Sequence, residues 1–148
     1  TIASRTRINL LGSINLETMD VTIAAHETID SKAMEKHFAA LRKKYTKAPK
    51  VHLIVDNGPY NISKETKQAA ENYGIVLHYL PTYSPNLNPI ERLWKVMNEY
   101  VRNNRVFKSA AEFRSAINEF FAKWPKIALS MVDRINDNFQ ILNKVSSS

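Results

Sequence analysis

The chain contains no cysteine, which excludes a disulfide framework, a thiolate zinc site and a cysteine nucleophile together. It has only three glycines, Gly12, Gly58 and Gly74, and none falls in a phosphate-cradling loop or a dinucleotide fingerprint. No apolar run approaches the roughly 18 residues of a membrane span, and no signal-peptide pattern opens the chain. There is no internal repeat, and no low-complexity stretch beyond the terminal Ser146-Ser147-Ser148. What remains is the profile of a cytosolic globular protein with no membrane partner and no small-molecule cofactor. Its 148 residues suffice for one domain with a buried core. A hydrophobic content of 44% and a charged content of 24% are ordinary for that class.

The net charge of +7 is spread unevenly. Residues 1–50 carry 9 basic against 5 acidic side chains, residues 101–148 carry 8 against 4, and residues 51–100 carry 4 against 5. Two basic flanks around a slightly acidic centre suit a polyanion outside and a divalent cation within. Many small proteins are basic without such a partner, so charge alone favours nucleic acid only weakly.

Residues 7–15 (RINLLGSIN) and 19–26 (MDVTIAAH) read as strands of an antiparallel hairpin, with Ser31 as the N-cap of a helix to about Tyr45. Met34, Phe38 and Leu41 form that helix's apolar stripe, with Ala33 and His37 beside it. Lys50–Val55 reads as a buried strand stopped by Asp56-Asn57-Gly58-Pro59, and Ser63–Tyr73 as a helix closed by Gly74. Ile75–Leu80 is a further strand, parallel to the last through a right-handed crossover. Helices are expected over Pro89–Asn103, Ser109–Lys123 and Pro125–Leu142. The order β-hairpin, α, β, α, β, α, α, α is that of an α/β fold.

Two carboxylates stand out. Asp56 ends a parallel strand, at the sheet edge where ligands bind in open α/β sheets. Taken alone, Asp56-Asn57-Gly58 reads better as a simple turn. Glu91 falls at N3 of a helix with Asn88 as N-cap and Pro89 at N1, so it also fits a capping box with no further role. The connector LPTYSPNLNPIE tips the balance. Pro81, Pro85 and Pro89 stiffen a path that a plain loop would leave loose. Metal-dependent phosphoryl chemistry needs such stiffness to hold two carboxylates in one geometry.

The stretches VDNGPYN and LPTYSPNLNPIERLW resemble the catalytic domain of DDE transposases, in the bacterial insertion-sequence branch related to Tc/mariner. The 34 residues between Asp56 and Glu91 match that branch's spacing. The resemblance runs from about Arg7 to Trp124. It implies an RNase H-like (retroviral-integrase-like) mixed sheet flanked by helices, over residues 1–148 with C-terminal helices at about 109–142. The implied activity is cleavage and strand transfer of transposon DNA, dependent on Mg²⁺ or Mn²⁺, in a bacterial cytoplasmic, nucleoid-associated setting. Asp56 and Glu91 would be catalytic metal ligands and Asn57, Asn61 and Asn88 supporting polar residues. Lys64, Arg92 and Lys95 are candidate phosphate contacts, on charge and proximity.

Two departures qualify the resemblance. The family's first carboxylate lies on a strand before the hairpin, yet residues 1–16 contain no acidic residue. The first catalytic strand and the DNA-recognition helices are therefore expected to be missing from this chain. Weak metal binding, little or no activity alone, and a dimer or larger assembly through exposed strand edges would follow. Asn61 also stands where related sequences commonly carry His. One alternative is a non-catalytic DNA-binding or assembly remnant. Another is an unrelated α/β domain with Asp56 in a turn and Glu91 as a cap. His26, His37, His52 and His78 form no ligand-like cluster, and His52 and His78 read as structural. Ser84 is read as part of the arm, Trp124 as packing at a helix end, and Arg42-Lys43-Lys44 as a solvated basic face.

Overall fold

The computed structural model describes residues 9–82, 88–102 and 107–136. In order these are β1 (Asn9–Ile14), β2 (Val21–His26), α1 (Ser31–Lys44), β3 (Val51–Val55), α2 (Pro59–Ile62), α3 (Lys64–Asn72), β4 (Ile75–Tyr79), α4 (Pro89–Arg102), α5 (Ala110–Ile127), a 3₁₀ turn (Ala128–Met131) and α6 (Val132–Asn136). Among the described residues the strands pair as two separate ladders, β1 with β2 and β3 with β4. The residues sort into two compact units. One holds Asn9–Ser13 and Val21–Asn88; the other holds Ile14–Asp20 and the chain from Pro89 onward.

In the first unit β3 and β4 are parallel, in register from Val51 opposite Ile75 to Val55 opposite Tyr79. Val51, Leu53, Ile75 and Leu77 project to one face and meet Met34, Phe38, Leu41, Ala69 and Ala70 of α1 and α3. The predicted stripe of α1 is the buried one, with Ala33 and His37 included. Its cap is Asp30 rather than Ser31: Asp30 Oδ1 accepts from Ala33 N at 2.9 Å. Asp30 holds the extended backbone of a cap, with φ of −139° and ψ of −172°, and Ser31 enters the helix. Ser63 caps α3, its Oγ accepting from Thr66 N at 3.1 Å, and Gly74 ends the turn beyond α3 with φ of 68°. That angle favours a residue without a Cβ.

Arg42 does not lie on a solvated face. Its guanidinium is half-buried and donates to the carbonyls of Tyr73, Tyr45, Ala48 and Gly74, tying the end of α1 to the entry of β4. Lys44 reaches the Val21 carbonyl at 3.1 Å. His37 is buried with its Nε2 bonded to Ser13 Oγ across to β1. Burial, then the neighbouring His26 and Lys44, lower its pKa to about 4.

In the second unit α4 packs against α5 and α6. Its buried residues are Pro89, Leu93, Val96, Met97 and Val101, facing Phe113, Ala116, Ile117, Phe120 and Trp124 of α5. Pro125 does not begin a new helix; α5 continues through it to Ile127. The N–H that Pro lacks is lost only in the final turn, while Trp124, 2% exposed, anchors that turn. Its indole Nε1 donates to the Met19 carbonyl at 2.7 Å, in keeping with its reading as packing at a helix end. Met19 and Asp20 belong to the turn rather than to β2. Met19 takes a φ of 64°, held by its N–H on the Asn15 carbonyl at 2.6 Å, while Asn15 Oδ1 accepts from Glu17 N and Thr18 N. The six-residue link between β1 and β2 is far too short for a parallel crossover, so the hairpin is antiparallel. The expected ends of β1 at Arg7, of α4 at Asn103 and of the last helix at Leu142 lie outside the described residues, as do Ser84, Pro85 and the terminal serines.

Candidate functional site

The first unit brings a set of polar groups to the C-terminal end of its parallel strands. Beyond Val55 the chain turns at Asp56, half-buried, whose Oδ1 accepts from Gly58 N at 2.8 Å and from Asn61 Nδ2 at 2.9 Å. The turn expected from Asp56-Asn57-Gly58 is present, and it engages only one carboxylate oxygen. Oδ2 takes no hydrogen bond among the described residues. A Cβ at Gly58 would crowd the turn, lying 3.1 Å from Asp56 Oδ1 and 3.3 Å from the Tyr60 ring.

The segment after Asp56 is pinned at several points. Asn57, exposed, donates from Nδ2 to the Leu80 carbonyl, and Leu80 N donates to the Val55 carbonyl at 2.9 Å. The exits of β3 and β4 are thereby locked side by side. Pro59–Ile62 forms a short helix that the sequence reading treats as turn. Thr66, fully buried, bonds the Tyr60 carbonyl through Oγ1, and Tyr79 OH donates to the Asn61 carbonyl at 2.7 Å. Burial raises the Tyr79 pKa, which keeps that phenol a donor.

Asn61 is 5% exposed, and its Oδ1 is buried with no hydrogen-bond partner among the described residues. An orphaned amide oxygen inside a protein is costly, and a water, an ion or a ligand can satisfy it. The Asp56 carboxylate to which the same amide is bonded has its other oxygen free. Both are hard oxygen donors of the kind Mg²⁺ and Mn²⁺ take, and Mg²⁺ commonly uses only one or two carboxylates plus water and substrate phosphate. The donor set therefore fits a hard divalent ion. Among the described residues no group of three or more His, Cys, Asp or Glu side chains could hold a metal.

The remaining predicted residues divide between the units. Lys64 is exposed at the first position of α3, in the unit of Asp56. Glu91 is exposed on the first turn of α4 in the other unit, directly after buried Asn88, Pro89 and half-buried Ile90. Lys95 is exposed on the same helix. Arg92 is half-buried, its Nη1 3.5 Å from the Arg134 carbonyl of α6, and Arg134 grips Glu99 through both carboxylate oxygens at 3.0 and 2.9 Å. His52 and His78, read from the sequence as structural and outside any cluster, are exposed and bonded to each other at 2.9 Å. Their shared parity on two parallel strands, which puts both on one face, was the available signal.

A mixed α/β chain with a carboxylate fixed at the exit of a parallel strand pair belongs to a class that includes nucleic-acid-processing enzymes, and comparison with known proteins narrows it. The sequence pattern of DDE superfamily endonucleases matches residues 1–114, and the chain belongs to that family, in the branch of IS630 and Tc-type transposases. It is 30% identical over 98 residues to an uncharacterised protein, y4pE/y4sA, of Sinorhizobium fredii, covering 66% of this chain and 68% of that one. It is 28% identical to the 39 kDa protein of insertion element IS630 from Shigella sonnei, over 75% of this chain. It is 32% identical to the Tcb2 transposase of Caenorhabditis briggsae, over 56% of this chain. It spans only 33% and 29% of those two relatives. A chain of the simian T-cell lymphotropic virus intasome, solved in complex with PP2A regulatory subunit B56 gamma, superposes with a TM-score of 0.61 over 79% of this chain and 43% of that one. At 16% identity the likeness is one of fold, and it fits the RNase H-like architecture.

Proposed function

We propose that residues 1–148 form part of the catalytic core of an insertion-sequence transposase, contributing Asp56 and Glu91 to a divalent-metal site that cuts and joins DNA. The observation that carries this reading is the state of Asp56. Two N–H donors fix one of its oxygens and leave the other free, and the Asn61 amide that supplies one of those donors has an oxygen without a partner among the described residues. A divalent ion held there would activate the attacking oxygen and neutralise charge on the leaving one. The chain's own contribution is orientation. Gly58 N and Asn61 Nδ2 set the Asp56 carboxylate, Asn57 locks the two strand exits together, and Glu91 brings the second carboxylate from the head of α4. Lys64, Arg92 and Lys95 supply phosphate contacts. The remaining carboxylate comes from polypeptide other than residues 1–148, and the working form is a cytoplasmic homo-oligomer on transposon and target DNA.

The test is nicking of supercoiled plasmid DNA with Mn²⁺. It compares residues 1–148 with a polypeptide extended upstream to include an acidic strand, and with Asp56→Asn and Glu91→Gln in the extended form. The extended protein is expected to nick, and each substitution to abolish it. Equal nicking by residues 1–148 would refute the shared-carboxylate account. Undiminished nicking by Asp56→Asn would refute the site. The net charge of +7 also suits a second reading, a non-catalytic DNA-binding or assembly module. That reading predicts salt-sensitive DNA affinity indifferent to Mn²⁺.

A further inference from the structure

The register of β3 and β4 sets His52 opposite Val76 and His78 opposite Ile54. These four positions share one face of the strand pair, the opposite of the face that packs on α1 and α3. Both imidazoles are exposed. They face each other diagonally, with His52 Nδ1 and His78 Nε2 2.9 Å apart, ring centroids 5.1 Å apart and ring planes inclined at 34°. Only one proton fits between two nitrogens at that distance, so one of them presents a lone pair and the other an N–H.

The spacing has a second meaning. Imidazole nitrogens bind divalent transition ions at about 2.0–2.1 Å. Two such nitrogens in adjacent positions at a right angle are then about 2.9 Å apart, whereas a tetrahedral angle would need about 3.3–3.4 Å. The right-angled arrangement is the one that square-planar and tetragonal ions adopt. We infer that His52 and His78 form a two-imidazole clamp for a borderline divalent ion, Cu²⁺ or Ni²⁺, which takes the place of the shared proton. Water completes the coordination. The clamp is chemically distinct from the oxygen donors around Asp56, and a hard ion such as Mg²⁺ has no preference for it. Occupancy would staple β3 to β4 along the face opposite the core.

The test is Ni²⁺ titration of the 148-residue chain by calorimetry at neutral pH. It is paired with Cu²⁺ electron paramagnetic resonance, which counts bound nitrogens. One equivalent of Ni²⁺ is expected to bind, with affinity falling about tenfold or more in either His52→Gln or His78→Gln. Asp56→Asn should leave that affinity unchanged, and excess Mg²⁺ should not displace the ion. The Cu²⁺ spectrum should show two nitrogen ligands in the wild type and one in each variant. Wild-type affinity in either histidine variant, a one-nitrogen spectrum in the wild type, or displacement by Mg²⁺ would each overturn the inference. The Asp56→Asn arm separates this result from the fate of the endonuclease reading.

Discussion

Replacing Gly74 by alanine should destabilise the protein through two effects that can be separated. At a φ of 68° any residue with a Cβ loses about 1–2 kcal/mol. The new methyl would also stand 2.7 Å from Arg42 Nη2, inside van der Waals contact. That nitrogen has little room to retreat. Arg42 Nε is bonded to the Tyr73 carbonyl at 2.8 Å, Nη1 to Tyr45 and Ala48 at 3.0 and 2.6 Å, and Nη2 to Gly74 itself at 3.2 Å. Losing the Nη2 bond forfeits a charge-assisted hydrogen bond, worth about 1 kcal/mol once its partial exposure is discounted. The expected loss is about 2–3 kcal/mol. Urea unfolding of the 148-residue chain, followed by far-ultraviolet circular dichroism, measures it as a lower midpoint at constant slope. Arg42→Ala alone should also destabilise, and the double variant should cost less than the sum by about 0.5 kcal/mol or more, because one contact is counted twice. A Gly74→Ala loss below about 0.5 kcal/mol, or strict additivity with Arg42→Ala, would refute the reasoning.

Gly58→Ala should behave in the opposite sense. Its φ of −57° suits any residue, so stability should stay within about 1 kcal/mol of wild type. The Cβ crowding Asp56 should nonetheless cut plasmid nicking by the upstream-extended protein about tenfold or more, and full activity would show that Asp56 tolerates displacement. His37 should impose a pH dependence on stability. Its folded pKa of about 4 lies below the unfolded 6.5, so the unfolded chain binds the extra proton between those values. Its contribution is complete above about pH 6.5 and fades as pH falls towards 4, a change on the order of 3 kcal/mol. Unfolding midpoints at pH 7.5 and 5 should therefore differ in the wild type and converge in His37→Gln.

The elements set by local chemistry were readable in the sequence. The stripe Met34, Phe38, Leu41, the Gly74 stop and the parallel pairing of the two central strands all follow from spacing and turn residues. What sequence could not reveal was where long side chains go. Arg42 sits in a basic run that looks solvated, and only the folded chain brings four carbonyls within reach of its guanidinium. Asp30 and Ser31 are both cap residues by type, and only the backbone shows which one starts the helix. Pro125 is a helix breaker by propensity, yet burial of Trp124 overrides it. Of the site, Asp56 and its turn were legible. Asn61 was named there through the family resemblance alone, because an amide that bonds five residues back in sequence leaves no periodic trace.

The bond from the Trp124 indole to the Met19 carbonyl joins residues 105 positions apart. On the ribosome, the β1–β2 turn emerges long before its anchor exists. At about 5–20 residues per second, some 5–20 s separate the synthesis of the two partners. During that interval the left-handed Met19 has only the local bonds of Asn15 to hold it, so completing this corner is an event of late synthesis, timed by the arrival of the penultimate helical segment.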